Sequence, residues 1–575
     1  MELERYRILS RMARGLEKAE LVFKNANVFF SHTGEFVPCD VAVADGKILG
    51  TGTYEGHKEI DLSGRYLCPG FIDSHLHLES TLVTPPELIS QAVRWGTTTF
   101  IVDPHEAANV SGTDGIDYIL EQTETVPANV YVMMPSCVPS TNIDDNGASL
   151  TAGKMKNYLE NPRILGLGEV MDASSVVEGS VSMHEKLALF HGKVRDGHAP
   201  FLSPGDLNAY RMAGITTDHE CVDYAYAMEE CRRGIQVLIR EGSAARNLEA
   251  IVKGIVENGT DTEGFCFCTD DKHIEEIQRE GHINCNIKKA VKLGLPVEKA
   301  LKMATIQAAR CYGLSHLGAI APGCQADLVV LSDLESLEIL EVYHKGVKIQ
   351  RDRETEKIPC APKLKNTVHI LNFTKDRLKL SCTSKYAHVI EMTPGQITTL
   401  DKREEVPCIE KNGEKEFEPN RLYQKIAVIE RHKYTGKMCQ GIVKGFGIRG
   451  GAIASSVSHD SHNIIVVGDN DEDMYLAVKE LVRTQGGYTI AEGGRIFETL
   501  PLPVMGLISD AGYEKVHAVL SRMLKKAHEM GIGEGFDPFI SLSFLALPVI
   551  PEIRITPRGI YLAKEDRMLK SPFDE

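Results

Sequence analysis

The stretch "PGFIDSHLHLES" ends an apolar run on His75 and His77. Along a strand, residues i and i+2 project to one face, so the two imidazoles share one space. Paired imidazoles are how a transition-metal site begins. Later apolar runs end in the same manner: "LGLGEV" on Glu169, "RDGHA" on His198, "TTDHE" on His219 and "FCTDD" on Asp270. Four imidazoles and two carboxylates can hold two divalent ions with one carboxylate shared, and such ions lower the pKa of water toward neutrality. A single histidine after a strand is more often a satisfied polar residue than a ligand. The recurrence at strand ends is what points to metal.

Residues so far apart meet only if the fold gathers strand ends. Between 67 and 315, eight runs alternate with helical patterns: "CPGFIDSH", "TTTFIVDPH", "NVYVMMPSC", "RILGLGEVM", "GKVRDGHA", "GITTDHE", "GIQVLIREGSA" and "GFCFCTDD". Eight strand–helix units in about 250 residues fit an α/β (β/α)8 barrel better than an open doubly wound sheet, and barrels collect functional residues at strand C-termini. Upstream, "LVFKNANVFF" and "DVAVADGKILGTG" read as short alternating strands, and the texture returns at "IAPGCQADLVVLSD". The expectation is a small β-sandwich domain split in sequence, 1–66 plus 316–361, with the barrel 67–315 inserted. After the Pro/Lys-rich "KIPCAPKLKN", residues 362–575 read as a separate α+β domain.

A chain of 575 residues exceeds one core, and its 43% hydrophobic and 25% charged content are those of a globular protein. A formal charge of −16 argues against nucleic acid or an anionic membrane as partner. The charged start carries no signal peptide and no run of apolar residues could span a bilayer, so a cytoplasmic location is expected. Fourteen scattered cysteines with no C-x-x-C pair read as reduced, buried thiols.

With these motifs in hand, the chain resembles the amidohydrolase superfamily and, within it, the bacterial and archaeal adenine deaminases. The stretches that carry the resemblance include "PGFIDSHLHLEST", "GTTTFIVDPHEAANVSG", "GLGEVMD", "DGHAP", "REGSAARNL", "CTDD" and "HLGAIAPGCQADLVVL", with "SHDSHN" and "LSFLALPVIPEIRIT" near the C-terminus. The resemblance covers most of the chain. It implies hydrolysis of adenine to hypoxanthine and ammonia by a hydroxide that two metals activate, in purine salvage. It implies two divalent ions, manganese first, iron(II) or zinc next, held by His75, His77, Glu169, His198, His219 and Asp270. Where many relatives bridge their ions with a carboxylated lysine, Glu169 supplies the carboxylate directly. Asp270 is the expected proton carrier and Asp271 an orienting neighbour.

Substrate-side candidates are Glu79, Asp103, His105, Glu106, Arg240 and Ser243, with Glu241 and Arg246 beside them. Each has a bland reading: a helix-start carboxylate for Glu79, a turn cap at Asp103-Pro104, an N-cap and salt-bridged turn in "REGSAARNL". The "DPHE" cluster could also hold a further cation. His459, Asp460 and His462 either close the pocket or form a structural loop. The alternatives are a hydrolase of cyclic amides or of another aminopurine, and a non-catalytic purine-binding paralogue. A nucleic-acid deaminase is set aside, since H-x-E with P-C-x-x-C is missing. A homo-oligomer with a small purine substrate is expected.

Overall fold

The computed structural model describes residues 2–243, 245–350, 358–394, 396–411 and 413–575. All eight runs between 67 and 315 contain a strand: β1 (Phe71–Leu76), β2 (Thr97–Val102), β3 (Asn129–Met134), β4 (Ile164–Val170), β5 (Val194–Gly197), β6 (Thr217–Asp218), β7 (Gln236–Arg240) and β8 (Phe265–Cys268). Every residue of β1, β2 and β8 is buried, as parallel strands covered on both faces require. Strands β5-β4-β3-β2-β1 form one parallel set and β6-β7-β8 another.

Two seams close the sets into a barrel. At the first, Asp270 N donates to His75 O at 3.0 Å, and the Asp73 carboxylate accepts from Thr269 N (3.1 Å) and Thr269 Oγ1 (2.5 Å). At the second, Thr216 N donates to Arg195 O at 3.0 Å and Ala199 N to Asp218 Oδ1 at 2.6 Å. Strand β6 has two residues, so side chains replace much of its ladder. Between strands, helices begin on side-chain caps: Asp172, Ser203 and Asp223 accept from Ser175 N, Asp206 N and Tyr226 N. Each cap stabilises its helix by about 1 kcal/mol.

The strand Leu328–Leu331, beyond the barrel, pairs antiparallel with Tyr66–Pro69, just before it. Tyr66–Pro69 in turn runs parallel to Ala19–Phe30, within one eight-stranded sheet. The chain thus leaves for the barrel and returns on adjacent strands, which is why so long an insertion is accommodated.

In the C-terminal part, a second eight-stranded sheet carries the helix Asp471–Thr484, begun by Asn470 accepting from Asp473 N at 2.8 Å. Met474, Ala477, Val478 and Leu481, at helical spacing, bury one face in a core shared with Ala452, Ala454 and Val466. Strands β9 (Gly451–Ser455) and β10 (Ile464–Gly468) pair antiparallel in that sheet, and the segment 456–463 connects them. Arg558 ties this part to the loop after β3, donating to the Asp145 carboxylate (2.9 and 3.0 Å) and to the carbonyls of Asn142 and Asp144 (both 3.1 Å).

One expectation is corrected. Cys382 and Cys408 form a disulfide, while the other twelve cysteines are free. A hairpin makes the meeting: Cys408 heads the strand Cys408–Lys411, and Cys382 N bonds Lys415 O on its partner strand. Among the described residues, no helix is long and apolar enough to cross a membrane.

Candidate active site

Strand β1 ends at Leu76, so His77 lies one residue past it. The rings still converge, with Nε2 atoms 3.2 Å apart and planes at 84°. His77 is oriented by its Nδ1, 2.8 Å from the Asp103 carbonyl, which leaves Nε2 aimed inward. Glu169, at the end of β4, lies between two groups of imidazoles. Its Oε1 is 3.6 Å from His75 Nε2, 3.2 Å from His77 Nε2 and 3.1 Å from His105 Nδ1. Its Oε2 is 3.0 Å from His198 Nδ1 and 3.4 Å from His219 Nε2. Asp270 Oδ1 lies 3.2 Å from His77 Nε2 and 3.7 Å from His75 Nε2. All six expected ligands therefore meet in one buried cluster, and His105 joins them.

Backbone geometry brings Asp270 there. Strand β8 stops at Cys268, and Asp270 has φ +57°, a left-handed conformation that Asp tolerates better than most residues. Its N–H is used at the barrel seam, and its carboxylate turns to the cluster.

Burial holds His75 well below its usual value, helped by the neighbouring His219, and holds His219 down to about 3. Both rings are thus neutral and offer lone pairs. Burial opposes the imidazolium of His198, but the Glu220 and Glu169 carboxylates carry it up to about 9. Burial likewise opposes ionisation of Glu169 and Asp270, yet the imidazoles around Glu169 and the Arg240 guanidinium beside Asp270 hold both well below the usual carboxylate range.

The donor set fits divalent metal. Glu169 Oε1 is buried without a hydrogen-bond partner although three imidazole nitrogens surround it. Ligand atoms of His75, His77 and Glu169, of His75, His219 and Asp270, and of Glu169, His198 and His219 lie within 4.8 Å of one another in each trio. Mixed imidazole and carboxylate donors suit manganese, iron or zinc.

The remaining candidates divide. Asp103 Oδ2 accepts from Glu169 N at 2.8 Å, so it holds Glu169 in place. Glu106 Oε1 and the Asp271 carboxylate both accept from Ser80 Oγ, at the cluster's outer edge. Glu79 belongs to a 3-10 turn, Glu79–Thr81, and not to β1. Its Oε1 accepts from Ala107 N at 3.0 Å, in the first turn of the helix His105–Ser111. It therefore caps a different helix from the one next to it in sequence. Arg240 is buried, paired with Glu220 and, at 2.8 Å, with Asp270. Ser243 spends its hydroxyl on Glu276, which also pairs with Arg246. These two line an outer cavity of about 410 Å³ with His273, Phe536 and Asp537. The salt-bridge reading suits that end of β7, whereas the helix that follows, Leu248–Asn258, starts at Asn247 with no side-chain cap.

Sequence reasoning passed over Glu220. Its Oε1 is 3.7 Å from His198 Nδ1 and 3.6 Å from His219 Nε2. Alternation would send it away from His219, but β6 has already ended at Asp218. Its place directly after a candidate ligand, in "DHE", was the available signal.

A closed parallel barrel whose strand ends converge on such a cluster defines a metal-dependent hydrolase of the amidohydrolase type. Residues 66–354 match the amidohydrolase family, and residues 396–567 match the adenine deaminase C-terminal domain. An adenine deaminase of Desulfitobacterium hafniense (strain Y51) is 56% identical over 98% of this chain and 98% of its own length. Those of Clostridium acetobutylicum and Halalkalibacterium halodurans are 43% and 42% identical, each over 96% of this chain and over 97% and 95% of their own lengths. The chain belongs to the adenine deaminase family of the amidohydrolases.

Proposed function

We infer that the chain hydrolyses adenine at C6, giving hypoxanthine and ammonia, with two divalent ions: manganese first, iron(II) or zinc as alternatives. The observation that carries this reading is Glu169, one buried carboxylate whose two oxygens face separate imidazole groups. His75, His77, Asp270 and Glu169 would hold one ion; Glu169, His198 and His219 the other. Bound there, the ions supply the Lewis acidity that makes water a nucleophile near neutral pH.

The chain's own residues move the protons. Asp270, ionised and buried, takes a proton from the attacking water and passes it to the amine as the C6–N bond breaks. Water adds, ammonia leaves, and Asp270 returns ionised. Arg240 Nη1 holds Asp270 Oδ2 at 2.8 Å, which keeps Oδ1 turned to the cluster, and Glu220 balances the charge of Arg240. Arg240 is thus a positioning residue. His105, Glu106 and Asp271 are assigned to the purine edge, and Asp103 to holding Glu169 in place. The reading treats 1–66 with 316–361, 67–315 and 362–575 as three units of a cytoplasmic homo-oligomer.

The test is purified protein loaded with Mn2+ and offered adenine, adenosine, guanine, cytosine and a cyclic amide, with ammonia or ring opening as readout. Adenine should turn over and adenosine should not. Faster turnover of adenosine or of the cyclic amide would overturn the assignment.

A further inference from the structure

The segment 456–463 between β9 and β10 reaches the barrel rim. His459 N donates to Ser543 O at 3.2 Å, and the His459 ring stacks on Phe544 with centroids 4.5 Å apart. Asn463 Nδ2 donates to Asp145 O at 2.7 Å, on the loop after β3. Held in this way, His459 Nδ1 sits 3.3 Å from Glu106 Oε1 and 3.7 Å from Asp460 Oδ1. Asp460 Oδ1 is also 3.7 Å from His105 Nε2.

The polar groups of this cluster cannot satisfy one another. Among the described residues, the ionic partners of Glu106 and Asp460 are imidazoles alone. One nitrogen, His459 Nδ1, faces two carboxylates and carries at most one proton. Asp460 Oδ2, Glu106 Oε2 and His462 Nε2 are buried with no hydrogen-bond partner. Asp460 is 1% exposed, and Glu106 and His462 are fully buried. The two carboxylate oxygens are acceptors left without a donor, and His462 Nε2, whose ring accepts from Ser458 N at Nδ1, is a donor left without an acceptor; each carries an uncompensated desolvation penalty. Ligand atoms of His105, His459 and Asp460 lie within 4.8 Å of one another, as do those of Glu106, His459 and His462.

We propose that the rim holds a third divalent cation, separate from the strand-end pair, bound by His105, His459 and Asp460 with Glu106 as a further oxygen donor. Imidazole and carboxylate donors select a manganese, iron or zinc ion over magnesium or calcium. Two of these ligands come from the barrel and two from the C-terminal part, so the ion fastens the 456–463 segment over the mouth. His105 joins the sites, with Nδ1 3.1 Å from Glu169 Oε1 and Nε2 toward Asp460. The proposal rests on the rim geometry alone and stands whichever substrate the enzyme takes. If it holds, His105 and Glu106 meet the substrate beside a cation instead of as free side chains.

The test uses the full chain, stripped with a chelator, reloaded with Mn2+, desalted and counted by mass spectrometry of the metal. Crystals grown with Mn2+ are examined by anomalous diffraction. The wild type should hold three ions, with an anomalous peak among His105, His459 and Asp460. Asp460→Asn and His459→Gln should each hold two and lose that peak alone. Glu169→Gln should lose ions from the strand-end pair and keep the rim peak, which separates this proposal from the deaminase reading. The metal-free melting temperature of Asp460→Asn should be at or above that of metal-free wild type, because the variant lacks the buried charge, while Mn2+ should stabilise the wild type more. Two ions per wild-type chain with no rim peak would overturn the proposal. So would unchanged counts in both rim variants, or loss of every ion from a variant whose metal-free melting temperature is not lowered.

Discussion

The strand-end ring and the 456–463 segment both bury imidazoles beside carboxylates, but they hold them differently. In the ring, each candidate ligand stands at or just past the end of a strand locked by parallel neighbours and by the seam bonds of Asp73 and Asp270. In the segment, position depends on a fully buried guanidinium: Arg431 donates to the carbonyl of His462 and, at 3.0 Å, to those of Thr367 and Met505. The ring is preorganised by secondary structure, whereas the segment is placed by docking. A barrel tolerates rim variation because its ladder, and not its rim, fixes the ligands.

The largest effect should come from the ring. Glu169→Gln replaces two charged oxygens with one neutral acceptor, so strand-end metal should fall below two ions and turnover by on the order of 10³-fold, the equivalent of several kcal/mol of lost charge stabilisation. Metal analysis and steady-state kinetics check it; two tight ions and normal turnover would deny Glu169 its bridging place.

Next is the segment's support. Arg431→Leu leaves the carbonyls of His462, Thr367 and Met505 without a donor and should cost about 3 kcal/mol or more of stability. Denaturant unfolding measures this. Strand-end metal should survive in whatever fraction folds, and its loss would mean that ring and segment are not independent.

Asp270→Asn returns to the ring. An oxygen remains for metal but the base is gone, so turnover should fall roughly a hundredfold or more with metal content kept. Arg240 retains Glu220, so no buried cation is orphaned. Near-normal turnover with normal metal would pass the proton role to Asp271 or Glu79.

The mildest effect sits where the regions meet. Burial raises the Asp144 carboxyl to about 6, while an unfolded chain titrates near 3.9. The folded state therefore holds this proton more tightly, and its contribution to stability is full below about pH 4 and is lost as pH rises through about 6. Asp144→Asn should remove a downward slope of at most about 1.4 kcal/mol per pH unit across that window. Parallel slopes in wild type and variant would place the titration elsewhere.

Much of the ring could be read from the chain by itself. A strand-forming run that ends within a residue or two on His, Glu or Asp is a local pattern, and "LGLGEV", "KVRDGHA" and "FCFCTDD" each carry it within a few residues. Alternation predicts the pairing of His75 with His77, yet β1 ends at Leu76, and it is the Asp103 carbonyl that aims His77 inward. Contacts between distant elements had no such signature. The Glu220–Arg240 pair, the capping of Ala107 N by Glu79, the Cys382–Cys408 bridge and the approach of His459 to Glu106 each join residues whose own neighbours in sequence say nothing of the other. Local sequence determines which side chains stand at strand ends, because strand length and side-chain direction are short-range properties. What those side chains meet is decided by barrel closure and domain docking, because burial and charge balance are settled only when the whole chain has packed.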